Sequence, residues 1–418
     1  YCCFESKENL EPALAHIHDL NPEVNLEVID NRDNIKNPVD FNILIGDYKF
    51  INKMGSLPDI ESDNFTPVFV YAAAPWQGTL RLCKNTDTFH DFLLKLNRKQ
   101  EINKSVSEEN HFSRLGMSMS YAFMGTLSVI EVIKARINIG NTLNDIICFD
   151  LLKSVFSDDL FQLSNETNFN WEIKDKLSRA KALIIGTGGL GCPAALALAK
   201  AGIGTIGLID YDDVDLSNLN RQVLHSTSKI GMKKVESAKE TLNKINPAIN
   251  VDIYPAAFSR ENAINIINKY DIIIDGLDNI PTRYLLNDAC FFAEKPLIEA
   301  GALAFYGQVT TIIPGKGPCY RCIFKEHSKQ NAAPGCSEVG VLGPVPGTMG
   351  VLEAVEAIKR IIGMESDLEA GLLMYDSLET DFNLIKINKD KDCALCGDHP
   401  TIHELGDYTF VCKDKASS

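Results

Sequence analysis

Several large protein classes are excluded by what this chain lacks. It has no excess of positive charge: 41 Lys and Arg stand against 56 Asp and Glu, a formal net charge of −15. Nucleic acids are held by clustered Lys and Arg, so no direct nucleic-acid partner is expected. No secretory signal is visible in YCCFESKENL, which carries charges and no apolar core, and a cytoplasmic location is expected. Nor is there a clean membrane span. The uncharged stretch from Ala182 to Ala199 is interrupted by glycines and a proline. The 12 cysteines, without a signal, read as reduced thiols or metal ligands and not as a disulfide framework.

What is present fits a large globular chain. A length of 418 residues with 45% hydrophobic content suggests two or three domains with sizeable cores. Between Lys181 and Lys234 the apolar run Ala182–Ile185 leads into Gly186-Thr187-Gly188-Gly189-Leu190-Gly191. An Ala/Leu-rich helix follows, then a second apolar run closed by Asp210. This is the layout of a nucleotide-binding βαβ unit. Gly188 and Gly189 lack a Cβ, so phosphate can approach backbone N–H groups at a helix start. Asp210 lies about 20 residues on, where an acid hydrogen-bonds a ribose hydroxyl. Arg221 and Lys234, flanked by Asn218 and Gln222, suit a triphosphate better than a dinucleotide. Asp278-Asn279 follows the strand-like DIIID, where a carboxylate suits magnesium; Asp278 is also placed to cap the next helix.

Cys319-Tyr-Arg-Cys322 and Cys393-Ala-Leu-Cys396 supply four thiolates, the set for a closed structural zinc site. A redox pair is the alternative, although it needs only one such motif. Cys336 stands apart in a glycine-rich loop, as an inert thiol or as one that reaches a neighbouring site.

The chain also resembles itself. FTPVFVYAAAPWQGTLRL (65–82) parallels EKPLIEAGALAFYGQVTTI (294–312), and GTLSVIEVIKARI (125–137) parallels GVLEAVEAIKRII (350–362). LAHIHDLNPEVNLEVID (14–30) parallels LNKINPAINVDIYP (242–255), so three blocks recur in one order. His111 falls where the second half has Cys336. The first half has no glycine loop, no Arg/Lys pair and no Cys-x-x-Cys. An incomplete, catalytically inactive copy beside an active one is preferred over two drifted copies of a common unit. The second half alternates strands (181–186, 205–210, 249–254, 271–275, 296–300, 307–313, 371–376) with helices (190–201, 232–245, 259–268, 280–293, 348–362). The expected fold class is α/β, with a doubly wound, mostly parallel sheet. Residues 314–346 read as a long loop.

GTGGLG, SNLNRQ (217–222), Lys234, Asp278-Asn279, CYRC, GCSEVGVLGPVPGTMG and CALCGDHPTI together resemble the MoeB/ThiF family. These enzymes activate ubiquitin-like sulfur carriers and are related to ubiquitin-activating enzymes. The resemblance covers residues 178–412 and implies a Rossmann-like fold and a nucleotidyltransferase that adenylates a carrier's C-terminal glycine, with ATP and magnesium. By motif position it implies ATP contacts at Gly189, Asp210, Ser217, Asn218, Asn220, Arg221, Lys234, Asp278 and Asn279. It further implies zinc on Cys319, Cys322, Cys393 and Cys396, and an active-site thiol at Cys336. The implied partners are a ubiquitin-like sulfur-carrier protein and a sulfur donor, a rhodanese or a cysteine desulfurase. The expected organisation is an inactive half (1–155), a linker (156–177), an adenylation domain (178–412) and a tail (413–418), a tandem pseudo-dimer within one chain, with a homodimer also open. One departure stands out. The family's arginine-rich segment before the glycine loop corresponds here to 160–177, which has no arginine. The expected source of one is then the part of the inactive half upstream of Tyr1. Two other readings remain: a nicotinamide- or flavin-dependent oxidoreductase, and a pseudoenzyme scaffold that binds a carrier without turnover.

Overall fold

The computed structural model describes residues 42–47, 68–74, 76–83, 111–137, 139–141, 143, 146–157, 172–325, 340–406 and 408. The expected block at 14–30 and Cys336 lie outside them. Two sheets share a core built largely of aliphatic side chains. The larger has eight strands: β6 (Lys181–Ile185), β7 (Thr205–Ile209), β8 (Asn250–Tyr254), β9 (Ile272–Asp275), β10 (Leu297–Leu303), β11 (Tyr306–Ile312), β12 (Gly371–Asp376) and β13 (Asp381–Lys386). Their order is β13-β12-β11-β10-β9-β6-β7-β8. The five strands from β10 to β8 run parallel and the remaining three are added antiparallel, so the sheet is more mixed than expected. Consecutive β10 and β11 are joined by a tight turn, which only an antiparallel pair permits.

The smaller sheet contains β1 (Asn42–Asp47), β2 (Val68–Ala74), β3 (Gln77–Cys83), β4 (Ile146–Asp150) and β5 (Val155–Ser157), in that order. Its pairings run parallel, antiparallel, antiparallel, antiparallel, as from β9 to β13. Helix α1 (His111–Ile137) connects β3 to β4 as α8 (Pro344–Ile362) connects β11 to β12. Small contacts repeat too. Leu151 N donates to Trp76 O at 2.8 Å, and Ser377 N to Phe305 O at 3.0 Å. A Cβ on Gly78 would press on Met124, and one on Gly307 on Met349.

Helices α1 and α8 pack against each other between the sheets. Each carries a fully buried ion pair, Lys134 Nζ to Glu131 Oε1 at 2.7 Å and Lys359 Nζ to Glu356 Oε1 at 2.6 Å. Each pair is closed from the opposite half. Lys134 donates to Thr380 Oγ1 at 2.5 Å, and Lys359 donates to Ser154 Oγ at 3.3 Å. Thr380 and Ser154 sit at matching turns, with φ of 54° and 52°. Buried charges need such full pairing. The apolar stretch Leu115–Lys134 is long enough to cross a membrane by composition, but here half of it is buried and α1 lies against α8.

Helix α3 (Gly191–Ala201) is Ala/Leu-rich, favours helix strongly and stops at left-handed Gly202, φ 79°. It packs on α8, whose Gly350 leaves room for the Leu190 carbonyl. At the matching Gly125 a Cβ would meet no described atom within 4 Å. The remaining helices are α2 (Glu172–Arg179), α4 (Lys234–Ile245), α5 (Ala263–Ile267), α6 (Ile280–Phe292) and the short α7 (Tyr320–Ile323). The linker expected at 156–177 contains the end of β5 and most of α2. The loop expected to reach 346 ends earlier, because α8 starts at Pro344, a residue well suited to a first helical turn. Strand β13 was not anticipated: its residues are mostly exposed and do not alternate in burial.

Candidate active site

The sheet reverses its winding between β6 and β9, and the crevice past their carboxyl ends is where α/β sheets bind ligands. The segments singled out by sequence converge there. Gly186, at φ 94°, lies so close to the next segment that a Cβ would stand 2.6 Å from Gly276 O. At Gly191 a Cβ would collide with Gly186 O, which lets the helix start directly behind the strand. No side chain caps α3, which leaves its amino-terminal N–H groups facing the crevice.

Asp210 is held against the glycine loop. Its Oδ2 accepts from Thr187 N at 2.8 Å and Thr187 Oγ1 at 2.9 Å, and its Oδ1 accepts from Asp212 N at 2.9 Å. The carboxylate braces the glycine loop first, with only its remaining lone pairs free for a ribose.

The segment after β7 is locally ordered. Asp215 caps the turn Leu216–Asn218 by accepting from Ser217 N at 2.8 Å. Arg221 is half-buried and donates to Ser217 O at 3.3 Å and Asn220 Oδ1 at 3.0 Å. It has no acid partner among the described residues. Its stem lies over Gly189, where a Cβ would stand 3.3 Å away, with Pro346 of α8 at the same distance. Gln222 is buried, and its Oε1 has no hydrogen-bond partner among the described residues. Lys234 begins α4, with its Nζ 2.9 Å from Asp212 Oδ2. Past β9, Asp278 is exposed. The cap of α6 is Asn279, whose Oδ1 accepts from Thr282 N at 3.0 Å; the cap reading for Asp278 is therefore corrected by one residue.

Sequence reasoning missed two buried groups. Arg283 lies against Glu299, donates to Leu277 O at 2.6 Å and stands 3.8 Å from Asp275, so it anchors the segment leading to Asp278. Burial pushes the Glu299 carboxyl up to about 7 and Glu353 well above its ordinary value. The second group is His225. Its Nδ1 lies 2.9 Å from Ser237 Oγ and its Nε2 3.0 Å from Thr187 O. Burial pushes its pKa down from 6.5 to about 4. Between these values the unfolded chain binds a proton that the folded chain does not. Stability is therefore expected to fall as pH drops from 6.5 towards 4, by up to about 3 kcal/mol from this group. Calorimetry across that window should show a shallower decline in His225→Gln; an identical decline would contradict this assignment. The available signal was the LH that follows NRQV, a lone histidine of a kind usually left in the core.

The four motif cysteines meet at one place, all sulfurs within 4.8 Å of one another. Cys319 lies 3.9 Å from Cys322 and 3.6 Å from Cys393, and Cys322 lies 3.3 Å from Cys396. Four thiolates bonded to one tetrahedral zinc stand roughly 3.8 Å apart, so the set fits that ion. A redox pair would use two of the four and leave their convergence unexplained.

The sequence model of the ThiF family matches residues 162–395. The chain belongs to the ThiF family. Among curated proteins, it is 48% identical over 243 residues to adenylyltransferase and sulfurtransferase MOCS3 of Xenopus laevis, covering 58% of this chain and 54% of that one. The MOCS3 proteins of Dictyostelium discoideum (45%, covering 58% and 57%) and Culex quinquefasciatus (44%, covering 58% and 56%) are similar to it as well. The chain thus spans just over half the length of these relatives. Among solved structures, E. coli MccB with succinimide superposes with a TM-score of 0.51 at 23% identity, over 74% of this chain and 82% of that one. That likeness supports the ThiF-type, Rossmann-like fold.

Proposed function

We propose that residues 178–412 form an adenylation domain that transfers AMP from ATP to the C-terminal glycine of a ubiquitin-like sulfur carrier. The observation that carries this reading is Arg221 lying over Gly189 at the uncapped start of α3, with Lys234 paired to Asp212 just past the carboxyl end of β7. The 43–48% identity to MOCS3 proteins supports it. In this reading Gly186, Gly188, Gly189, Gly191, Asp210, Ser217, Asn218, Asn220, Arg221, Gln222, Lys234, Asp278 and Asn279 surround ATP. A nicotinamide or flavin would not need two cations beside its pyrophosphate site.

The chemistry follows from the charges. A carboxylate oxygen of the terminal glycine attacks the α-phosphorus of ATP. The new P–O bond forms as the bond to the bridging oxygen breaks, and pyrophosphate leaves with that electron pair. Negative charge builds on the phosphates during this step, and Arg221 and Lys234 are held where they neutralise it. The exposed Asp278 carboxylate fits magnesium, which when bound with the phosphates supplies further charge neutralisation. The acyl-adenylate is then open to thiolate. Sulfur attacks the carbonyl carbon, the bond to AMP breaks, and AMP leaves. Cys336 is the proposed thiol, with persulfide from a rhodanese or a cysteine desulfurase as the other source. Cys319, Cys322, Cys393 and Cys396 would hold zinc as a structural cross-link away from the chemistry.

In the same reading the first half is an inactive copy in the place of a second subunit. The matching strand order and the crossed closures at Thr380 and Ser154 support this. Carrier-dependent exchange of labelled pyrophosphate into ATP tests the activity. Cys336→Ser should keep that exchange and lose sulfur transfer. Absence of exchange would leave a carrier-binding scaffold.

A further inference from the structure

We propose that His225 is a positioning residue that aims the backbone N–H of Gly188 at the nucleotide phosphates. This rests on the adenylation reading above. The ring is fully buried and bridges the segments that form the crevice. It follows Arg221 in the chain, touches Thr187 of the glycine loop at 3.0 Å, and touches Ser237 of α4 at 2.9 Å, one turn after Lys234.

The chemistry of the two neighbours fixes the tautomer. A carbonyl oxygen only accepts, so Nε2 carries the proton and donates to Thr187 O. Nδ1 is then bare and accepts from the Ser237 hydroxyl. Thr187 O takes a second donor, the Cys192 thiol, at 3.2 Å. Burial pushes that thiol up to about 12, so it remains S–H and stays a donor.

Two donors behind one carbonyl hold it facing the core. The Thr187 carbonyl and the Gly188 N–H belong to one trans peptide plane and point in opposite directions. Pinning the oxygen inward therefore turns the Gly188 N–H outward, toward the start of α3 where phosphate is expected. The Asp210 carboxylate holds the preceding N–H, on Thr187, at 2.8 Å, so the loop is fixed on both sides of that peptide. A ring that lost its Nε2 proton would present a lone pair to the carbonyl and release the plane.

The test compares binding of ATP with binding of adenosine, which shares the base and ribose but has no phosphate. His225→Phe keeps the ring volume and removes both nitrogens. It is expected to weaken ATP binding about tenfold, the effect of one charge-assisted hydrogen bond, and adenosine binding by less than about twofold. His225→Gln places an N–H near the Nε2 position and should restore most of the preference for ATP. Should the phenylalanine variant not fold, Ser237→Ala serves the same end. It keeps the ring but frees the tautomer, and a selective loss for ATP is again expected. Equal losses for both ligands, no loss, or a glutamine variant as weak as the phenylalanine one would overturn the proposal. Wild-type protein that binds ATP no better than adenosine would instead overturn the adenylation reading beneath it.

Discussion

Arg221→Ala is expected to slow carrier-dependent exchange of pyrophosphate into ATP by about 10²–10³-fold, the usual cost of losing one preorganised donor at developing charge. The guanidinium is suited to that role because only neutral oxygens, Ser217 O and Asn220 Oδ1, hold it. Its charge is available to phosphate without first breaking an ion pair. For the same reason the substitution strands no buried acid, and the thermal unfolding midpoint should stay near the wild-type value. Lys234 differs, since it already pairs with Asp212 at 2.9 Å. Phosphate must compete with that carboxylate, so Lys234→Ala should lower exchange less than Arg221→Ala does. A wild-type rate in Arg221→Ala would remove the residue from the site.

The second large effect concerns the cysteine cluster. Purified protein is expected to carry about one zinc per chain, and Cys393→Ser should lose it together with on the order of 10 °C of thermal stability. The reason lies in what the cluster joins. Cys319 caps α7 and Cys322 lies within it, while Cys393 and Cys396 belong to the segment after β13, so the cluster ties together two stretches of chain 74 residues apart. Leu395 and Leu405 of that segment are buried in a core of the larger sheet, packing that loss of the tether is expected to loosen. Nearby, Arg321 donates to Asp288 at 2.8 Å and lies over the rings of Tyr284 and Tyr408. Without the ion, four close thiols cannot all ionise, and a serine hydroxyl is a poor replacement for thiolate. Metal analysis and thermal unfolding of the variant check this. Unchanged zinc content and an unchanged midpoint would show that the cluster is not a metal site.

Much of this arrangement was legible in the sequence because its signals are local. The glycine loop, the Ala-rich α3 and the apolar strands at 181–185 and 205–209 announce themselves by composition and period. The likeness of the helices at 111–137 and 344–362 was legible for a different reason: each buries a Glu–Lys pair, which EVIK and EAIK supply. What was missed depends on partners distant in sequence. Nothing around Asp210 shows that its carboxylate is turned back on Thr187, 23 residues earlier. His225 has no motif of its own, and its role emerges only when Thr187 and Ser237 close around it. The one-residue error between Asp278 and Asn279 is of the same kind. Either side chain can cap a helix, and the backbone geometry selects between them.

The account's central claim is attack on the α-phosphorus of ATP by a carrier's terminal carboxylate. ATP labelled at the α-phosphate, incubated with the chain, magnesium and a carrier ending in glycine, tests it most directly. The account predicts that label moves to the carrier's C-terminus as AMP while unlabelled pyrophosphate is released. Label recovered in ADP, with the carrier unmodified, would contradict it.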